Sequence, residues 1–356
     1  MFHVEQLERE TKMPDFYDGS KLLSLMDVNG NKPEIYMCTT NRSGGKTTWF
    51  NRYCVKRFLN YNEKFMLIQR FNYELEDCAD KFFKDIGELF FKGHEMTSRR
   101  RAKGVFHELY LDKKQCGYVV ALNSADQLKK YSHFFSDTCR MVMDEFQSET
   151  NHYCPDEVKK FRSIHTSVAR GCGSQSKYVP VYMLSNPVTL LNPYYVAMGI
   201  SSRLTDNVNF LRGTGWVLEQ GYVDSASKAQ QESAFNSAFS GDTYDTYLTQ
   251  AVYLNDSSAF IETPTGTSRY LGTVRYLGKE YALREFPTQG VIYCDDKVDS
   301  TFKTKMSLTT EDHRVNYVML NQFRLFVENM RYYFDRGAFR FKNLTCKEVI
   351  LHMLSY

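Results

Sequence analysis

The segment 34–50, EIYMCTTNRSGGKTTWF, limits the possible folds more than any other part of this sequence. The apolar run from Ile35 to Cys38 predicts a buried strand. After a polar stretch with two glycines, apolar residues recur at every fourth position from Phe50, so a helix is predicted to begin at Lys46. A strand, a glycine-containing loop and a helix in this order can surround phosphate groups, because backbone N–H groups of the loop and of the first helical turn point towards the anion.

The loop matches the phosphate-loop pattern G-x-x-x-x-G-K-[ST] except at its first position, where Thr40 stands in place of glycine. We expect Thr40 to be tolerated if the backbone there keeps a negative φ. In such a loop Lys46 bridges two phosphates and the Thr47 hydroxyl binds Mg²⁺. A G-K-[ST] triplet also occurs by chance. For this stretch alone, a polar strand-to-helix turn is the alternative interpretation.

A second apolar run, from Met141 to Met143, predicts a buried strand that ends at Asp144 and Glu145. A carboxylate at the end of a strand can hold Mg²⁺, and a second one beside it can polarise an attacking water molecule. An exposed acidic strand end is the alternative interpretation. The presence of both motifs in this order favours nucleotide hydrolysis.

Two more polar residues are candidates for the same site. Asn186 ends another apolar run and is predicted to face the ligand crevice of a parallel sheet, where it could sense the γ-phosphate. A turn before Pro187 is the alternative. Arg170 is predicted in the last turn of a helix, where it either complements the helix dipole or acts as an arginine finger on a neighbouring subunit.

Composition excludes several classes of protein. The chain of 356 residues is 42% hydrophobic, which excludes a disordered protein. Its net charge of +3 is too small for a protein that coats nucleic acid, so any DNA contact must come from a local patch such as SRRRAK at 98–103, for which a solvated loop is the alternative. We expect no signal peptide, no membrane helix and, since the nine cysteines form no C-x-x-C pair, free thiols in a reducing cytoplasm.

Strand-like and helix-like segments alternate up to about residue 215, which predicts a mostly parallel α/β sheet. The range 216–255 is small and polar and is predicted to be a linker with a short helix. From 256 to 356, three strand-like runs followed by one long apolar stripe at 315–334 predict a smaller α+β domain. Thr345 and Glu348 are predicted to form a capping box for a last short helix.

The chain resembles the DNA-packaging ATPases, or encapsidation proteins, of small phi-29-like short-tailed phages, which are relatives of large terminase subunits. The resemblance spans nearly all of the sequence and rests on the segments NRSGGKT, KRFLNYNEKFMLIQRFNYEL, VMDEF, YCPDEV, MLSNPVTLLNPYY, SLTTEDH and FRFKN. It implies a P-loop ATPase domain of the additional-strand, catalytic-glutamate (ASCE) class at 1–215. The linker at 216–255 would then join it to a ribonuclease-H-like domain at 256–356.

The resemblance also implies roles for single residues. Thr47 and Asp144 would hold Mg²⁺, and the expected nucleotide contacts are Arg42, Ser43, Gly44, Gly45, Lys46, Thr47 and Asn186. The expected catalytic residues are Lys46, Glu145 and Arg170, the last acting in trans. The family's basic residues around this arginine are missing here. Arg70 corresponds to a family arginine whose role stays open, and Tyr17 is a candidate for stacking on the adenine ring.

The function implied by the resemblance is a motor that hydrolyses ATP to translocate double-stranded DNA into a preformed capsid. The implied partners are the DNA, the capsid portal vertex, reached directly or through a scaffold RNA, and further copies of the chain in a ring that we expect to be a pentamer. The motor would act in the host cytoplasm, at the procapsid portal vertex.

Two alternatives to this function stay open. One is a terminase large subunit with an active nuclease, for which the candidate carboxylates are Asp242, Asp245, Asp295, Asp296 and Asp299. The other is a protein that binds nucleotide only to assemble.

Overall fold

The structure is a computed structural model that describes residues 16–150, 152–170, 173, 175–189, 192–201, 203, 209–237 and 260–354. The chain divides into two compact units, residues 1–255 and 256–356. The division falls at the predicted start of the C-terminal domain.

The first unit is built on a nine-stranded sheet with the strand order β3-β4-β5-β2-β6-β7-β1-β9-β8. The five central strands, β5, β2, β6, β7 and β1, run parallel, as does β9 beside β1, whereas β3, β4 and β8 are antiparallel to their neighbours. The strands are β1 Ile35–Thr39, β2 Lys64–Gln69, β3 Met96–Arg101, β4 Phe106–Leu111, β5 Lys114–Ala121, β6 Thr138–Asp144, β7 Val181–Ser185, β8 Phe210–Gly213 and β9 Trp216–Gln220.

Helices cover both faces of this sheet, as expected for strands that are apolar on both sides. The helices are α1 Ser20–Ser24, α2 Lys46–Tyr61, α3 Cys78–Phe90, α4 Ala125–Leu128, α5 Glu157–Val168, α6 Pro193–Met198, α7 Asp224–Gln231 and α8 Ala234–Ser237. Successive side chains of a strand point to opposite faces. On β6, Val142 therefore packs with α2 and α3, whereas Met141 and Met143 pack with α5 and α6.

Two elements of this sheet differ from what the sequence predicted for their ranges. The basic run at 98–103 lies largely in β3, an edge strand paired with β4, and not in a solvated loop. The second element is β9, which falls in the range predicted as linker but pairs with β1 and lies one strand in from the β8 edge of the sheet. The first sheet therefore extends to Gln220, past the predicted boundary at residue 215.

The second unit contains a six-stranded mixed sheet with the order β14-β13-β10-β11-β12-β15. The three predicted strand-like runs form the antiparallel strands β10 Arg269–Tyr276, β11 Lys279–Phe286 and β12 Val291–Asp295. The remaining elements are β13 Lys305–Ser307, β14 Val318–Met319, α9 Arg324–Asp335, β15 Phe339–Phe341 and α10 Leu344–Leu354. A smaller α+β domain was predicted here, and the architecture agrees.

Two predictions about helices of this unit were wrong in detail. The apolar stripe at 315–334 is helical only in α9, because Val318 and Met319 pair with β13 as a short strand. The last helix is capped by Asn343, whose side chain accepts the backbone N–H of Cys346 at 3.0 Å, and not by Thr345. Within the described parts of the chain, no helix combines the length and the apolar character needed to cross a bilayer.

A tight contact between β5 and β2 predicts the effect of a substitution at Gly117. A Cβ atom there would lie 2.2 Å from the carbonyl oxygen of Phe65, so Gly117→Ala must push two central strands apart. We expect a loss of about 2 kcal/mol or more in the free energy of unfolding, measured by urea denaturation. Gly272→Ala in β10 is the control, since a Cβ there would lie 3.2 Å from the tip of Met306 and 3.3 Å from the Thr304 carbonyl oxygen, about 1 Å farther from its neighbours than at Gly117. Equal losses in the two variants would contradict this account of the contact.

Candidate nucleotide site

The predicted site residues lie at one edge of the first sheet, where the central parallel strands end. Thr39, the last residue of β1, pairs with Ser185, the last residue of β7, and Asp144 of β6 pairs with Leu184. The loop 40–45 leaves β1 at this edge and α2 begins at Lys46, as predicted. In an open α/β sheet this carboxyl edge is the usual position of a ligand site.

The loop is held by hydrogen bonds to both neighbouring strand ends. The buried Asn41 side chain donates to the carbonyl of Val223 at 3.0 Å and accepts the Val223 N–H at 2.9 Å. The N–H of Thr40 donates to Ser185 O at 3.3 Å. Asn41 was not predicted as a site residue, although it lies inside the phosphate-loop pattern and opens the segment NRSGGKT of the family resemblance.

The loop has the tight turn that its glycines favour. Gly45 has φ +88° and Ser43 has φ 62°, both in the left-handed region. A Cβ at Gly44 would lie 3.0 Å from Val223 and 3.1 Å from the Thr40 hydroxyl, so no other residue fits there without movement. Thr40 is fully buried and does not have a positive φ, which meets the condition under which its departure from glycine is tolerated.

Lys46 is the first residue of α2 and only 7% exposed. Its Nζ donates to Oδ1 of Asn186 at 2.7 Å, which links the loop to the end of β7. Burial lowers the pKa of Lys46, and the negative charge of Asp144 partly offsets this shift. A buried ammonium group with little solvent around it is suited to neutralising phosphate oxygens.

The Asp144 carboxyl group faces the start of α2. Burial raises its pKa, while the charge of Lys46 and a hydrogen bond from the Thr47 hydroxyl oppose the shift. A carboxylate and a hydroxyl oxygen in hydrogen-bond contact are ligands of the type that Mg²⁺ prefers. A divalent cation would also stabilise the charged form that burial disfavours, so these two residues fit the predicted metal.

Glu145 follows directly and lies on a strained backbone. Its φ of 55° is uncommon for a residue other than glycine, and such strain persists where the surrounding structure holds it. The Arg70 Nη2 atom holds it by donating to the carbonyls of Glu145 and Phe146, each at 3.1 Å. Burial and the nearby charges of Asp144 and Glu149 raise the pKa of Glu145.

Arg70 is part of a buried ion pair that sequence reasoning missed. Its Nε atom contacts both carboxylate oxygens of Glu157, at 3.0 and 3.1 Å, and the Glu157 side chain is 1% exposed. Glu157 also accepts hydrogen bonds from the Tyr194 hydroxyl at 3.0 Å and from the Cys154 N–H at 2.9 Å. The pair connects the end of β2 to the start of α5, and thereby fixes the backbone that presents Glu145.

Two further predicted nucleotide contacts, Arg42 and Ser43, lie in the loop and have partners outside it. Arg42 is exposed and contacts Glu149 at 3.4 Å, and the Ser43 hydroxyl accepts a hydrogen bond from Gln230 at 3.1 Å. A cavity of about 510 Å³ opens beside the loop, lined by 16–18, Lys21, 209–210 and 219–225.

The prediction that Tyr17 stacks on an adenine ring is not supported. Its ring is buried against Phe50, and its hydroxyl donates to Glu219 at 2.5 Å.

Arg170 is the one predicted catalytic residue that does not lie at this edge. It follows α5, which begins at the carboxyl edge near Arg70 and spans about 18 Å. The Arg170 Nη2 atom lies 3.5 Å from the Ser132 hydroxyl, and the neighbouring Ala169 carbonyl accepts the N–H of Lys177, whose side chain reaches the start of β6. Arg170 is therefore too far from the phosphate loop of its own chain to contact it.

The candidate nuclease carboxylates of the second unit already have partners. Asp295 pairs with Arg284 at 2.9 Å, and Asp296 pairs with Lys342 at 2.6 Å. Asp299 accepts the N–H of Thr301 at 2.9 Å. Asp242 and Asp245 lie outside the described residues. Among the residues that are described, no group of three or more His, Cys, Asp or Glu side chains could hold a metal ion.

A parallel sheet with a glycine-containing loop between β1 and α2, and an Asp-Glu pair after a neighbouring strand, defines the phosphate-loop class of nucleotide-binding folds. A family model described as podovirus DNA encapsidation protein (Gp16) matches residues 15–355, so the chain belongs to that family. The predicted resemblance is thereby confirmed.

Relatives and solved structures agree with the family. The chain is 24% identical over 338 residues to the DNA packaging protein of Bacillus phage phi29, covering 94% of this chain and 95% of the relative. It is also 24% identical over 306 residues to the DNA packaging protein of Bacillus phage B103, and the match covers 85% of this chain and 90% of the relative.

Two solved structures have the same fold. One is described as the bacteriophage Phi-29 viral genome packaging motor assembly, with a TM-score of 0.63, 23% identity and coverage of 95% of this chain and 99% of that one. The other is described as the Phi-28 gp11 DNA packaging motor, with a TM-score of 0.61, 14% identity and coverage of 96% and 98%. The fold class predicted from the sequence is therefore confirmed.

The Arg70–Glu157 pair predicts a large loss of stability in Arg70→Gln. This change leaves the Glu157 carboxylate buried without its cation, and we expect a loss of about 3–5 kcal/mol in the free energy of unfolding. Lys129→Gln is the matched control, because Lys129 pairs with Asp126 on the surface and its loss should cost less than about 1 kcal/mol. Urea denaturation of both variants measures the difference, and similar losses would show that the buried pair has no special importance.

The position of Thr40 predicts that stability and activity respond differently to Thr40→Gly. The Thr40 side chain is buried beside Gly221 and Asn41, so we expect a loss of about 1 kcal/mol in the free energy of unfolding. ATP turnover should change by less than about threefold, because glycine is the residue that the loop pattern has at this position. Abolished turnover in a folded variant would mean that the Thr40 hydroxyl has a specific role.

Proposed function

We propose that this protein is an ATPase that drives double-stranded DNA into a preformed phage capsid. The observation that carries the proposal is the convergence of Lys46, Asp144, Glu145 and Asn186 at one sheet edge, in a chain of the encapsidation family. The DNA packaging proteins of phages phi29 and B103 are relatives over most of their length, which supports the choice of DNA as the cargo.

The loop and Lys46 would bind the phosphates of ATP. The turn at 43–45 and the start of α2 supply backbone N–H groups, and Lys46 adds a nearly buried positive charge. The hydrogen bond between Lys46 and Asn186 has a second consequence. An incoming γ-phosphate would compete with Asn186 for the ammonium group, so the end of β7 would respond to the presence of that phosphate.

Thr47 and Asp144 would hold Mg²⁺, which supplies positive charge to the phosphates when it is bound. Asp144 must be ionised for this role. Its contacts with Lys46 and Thr47 favour the ionised form against the cost of burial.

Glu145 would orient and deprotonate the attacking water. Its pKa is raised by burial and by neighbouring carboxylates, which makes it a better proton acceptor than an ordinary glutamate while it is ionised. The strained backbone and the two Arg70 hydrogen bonds fix the direction of this side chain.

Arg170 would act on the ATP of a neighbouring subunit. It is exposed and lies at the opposite edge of the sheet, so it is available to another copy of the chain and not to its own loop. A ring of subunits, which we infer to be a pentamer, would supply the arginine that each site needs for transition-state stabilisation.

The C-terminal domain, residues 256–356, would contact DNA or the capsid vertex and would not cut DNA. The ion pairs of Asp295 and Asp296 support this proposal, because a two-metal nuclease needs carboxylates free to bind cations. The domain would be joined to the first unit through residues that follow β9. Its docking site would be the portal vertex, reached directly or through a scaffold RNA, in the host cytoplasm.

The proposal predicts that Glu145→Gln abolishes turnover without preventing folding or nucleotide binding. The change removes the proton acceptor but also removes a negative charge next to Asp144 and Glu149, so the unfolding temperature should not fall. Phosphate release with DNA and empty capsids should decrease by at least about 100-fold, while ATP affinity stays within about threefold of the wild type.

The matched control is Glu88→Gln, an exposed position on α3 with the same change of charge. It should leave turnover unchanged. Wild-type turnover in Glu145→Gln would rule out Glu145 as the catalytic base, and absence of phosphate release by the wild type with DNA and capsids present would favour a protein that binds nucleotide only to assemble.

A further inference from the structure

A second charged cavity lies at the opposite, amino-terminal edge of the same sheet. Its volume is about 300 Å³, and it is lined by Leu23, Lys32, Tyr36, Tyr53, Arg57, Glu63, Cys139, Arg140, Tyr178, Pro180 and Tyr182. Four of them lie near the starts of β1, β6 and β7, two lie on α2, one lies on α1, and the others lie in the segments that precede these strands or follow α2. The cavity shares no residue with the phosphate loop or with the ends of β6 and β7 where Asp144 and Asn186 lie.

Arg140 lines this cavity, and two of its donor atoms have no acceptor. The residue is 5% exposed, and its Nη2 atom contacts the Glu63 carboxylate. Its Nε and Nη1 atoms are inaccessible to solvent and have no hydrogen-bond partner among the described residues. Leaving N–H groups of a buried cation unpaired is costly, so a native structure that retains them calls for an acceptor at that place.

The charges around the cavity are unbalanced in favour of an anion. Arg57 and Arg140 share the single carboxylate of Glu63. Lys32 adds a third positive charge, and its Nζ lies 4.6 Å from the centre of the Tyr178 ring. Three cations and one carboxylate leave a net charge of +2, which matches a dianion.

The tyrosine hydroxyls do not remove this imbalance. The Tyr178 hydroxyl donates to the carbonyl of Pro33 at 2.8 Å, so Tyr36 donates its proton to Tyr178 at 3.3 Å. Both hydroxyls are neutral, since burial raises the pKa of each. The Tyr53 ring lies 5.2 Å from the Arg140 guanidinium and supports its charge through its π face, but it offers no acceptor in the ring plane.

We propose that this cavity binds a phosphate group, held by Lys32, by Arg57 and by the unpaired donors of Arg140 after its guanidinium turns towards the cavity. A guanidinium group matches two phosphate oxygens through parallel N–H donors, and a tetrahedral dianion would neutralise the excess charge. The cavity has room for a phosphate with several water molecules, since each water occupies about 30 Å³ in the liquid. The ligand is either free phosphate or the phosphate monoester of a mononucleotide.

The site would be linked to the nucleotide site by α2 and by β6. On β6, Arg140 and Asp144 lie on the same face because their positions differ by four, an even number. On α2, Lys46 and Thr47 lie at the start and Arg57 lies in the last third of its 16 residues. Occupation of the cavity would therefore act on the same helix and strand that present the proposed ATP-binding groups.

The test is the binding of inorganic phosphate to the full-length protein by isothermal titration calorimetry. Arg57 is partly exposed, so Arg57→Gln should fold and should weaken phosphate binding about tenfold, as expected for the loss of one charge-assisted hydrogen bond. Arg140→Gln should weaken it further. Lys56→Gln, on the same helix but not lining the cavity, is the matched control and should change binding by less than twofold.

Phosphate could also enter the phosphate loop, so Lys46→Gln separates the two sites. Binding that survives Lys46→Gln but weakens in Arg57→Gln supports the second site, whether or not the proposed ATPase function is correct. Equal affinities in the wild type and Arg57→Gln, or complete loss of binding in Lys46→Gln, would overturn the inference. Titration with AMP then distinguishes the sources, because tighter binding of AMP than of phosphate identifies a mononucleotide site.

Discussion

The parallel register of β1, β7 and β6 is the constraint on which the rest of the first unit depends. Thr39 pairs with Ser185, and Leu184 pairs with Asp144, so three strands end at the same level. A shift of one residue in any of these pairings would turn the whole strand over and move its carboxylate or its apolar side chains to the other face. Strand pairing alone therefore brings together the phosphate loop, the Asp-Glu pair and Asn186. No contact between their side chains is needed for this.

This arrangement has a cost in stability. Burial disfavours both the ammonium form of Lys46 and the carboxylate form of Asp144, and the left-handed backbone at Glu145 adds strain of about 1 kcal/mol. Because the folded-state pKa of Asp144 lies above its ordinary value, its charge opposes folding as the pH rises through that range. A ligand that brings phosphate oxygens to Lys46 and a cation to Asp144 would relieve both costs. The site is thus more stable when it is occupied. In the absence of ligand, the Arg70–Glu157 pair fixes the backbone at Glu145.

The sequence was sufficient to predict the elements whose signals are local. The strand before the loop, the helix from Lys46 and the strand ending at Asp144 all follow from apolar runs bounded by glycine or charged residues. The sequence was insufficient where pairing with a strand that is distant along the chain decides the secondary structure. The run SRRRAK has no strand pattern of its own and becomes β3 only because β4 offers an edge, and Val318 leaves a helical stripe because β13 is beside it.

Within the site, the residues that the sequence could not reveal are those that act through others. Asn41 and Glu157 lie in two segments of the family resemblance, NRSGGKT and YCPDEV, but neither has a catalytic role in a motif: one is an unconstrained position of the loop pattern and the other starts an ordinary amphipathic helix. Their importance lies in what they hold: Asn41 fixes the loop to Val223, and Glu157 fixes Arg70. Tyr17 shows the opposite error, since an aromatic residue near a predicted site was given a binding role that its burial against Phe50 does not support.

The two edges of the sheet set a geometric condition on assembly. If Arg170 acts on a neighbouring subunit, the amino-terminal edge of one sheet must approach the carboxyl edge of the next, because α5 separates the two edges by about 18 Å. Such a contact joins different surfaces of the two copies and is therefore heterologous, the type that closes into rings. The cavity around Arg140 lies at the same amino-terminal edge as Arg170, since both are close to the start of β6. A phosphate bound there would act near the surface through which one subunit reaches the ATP of the next.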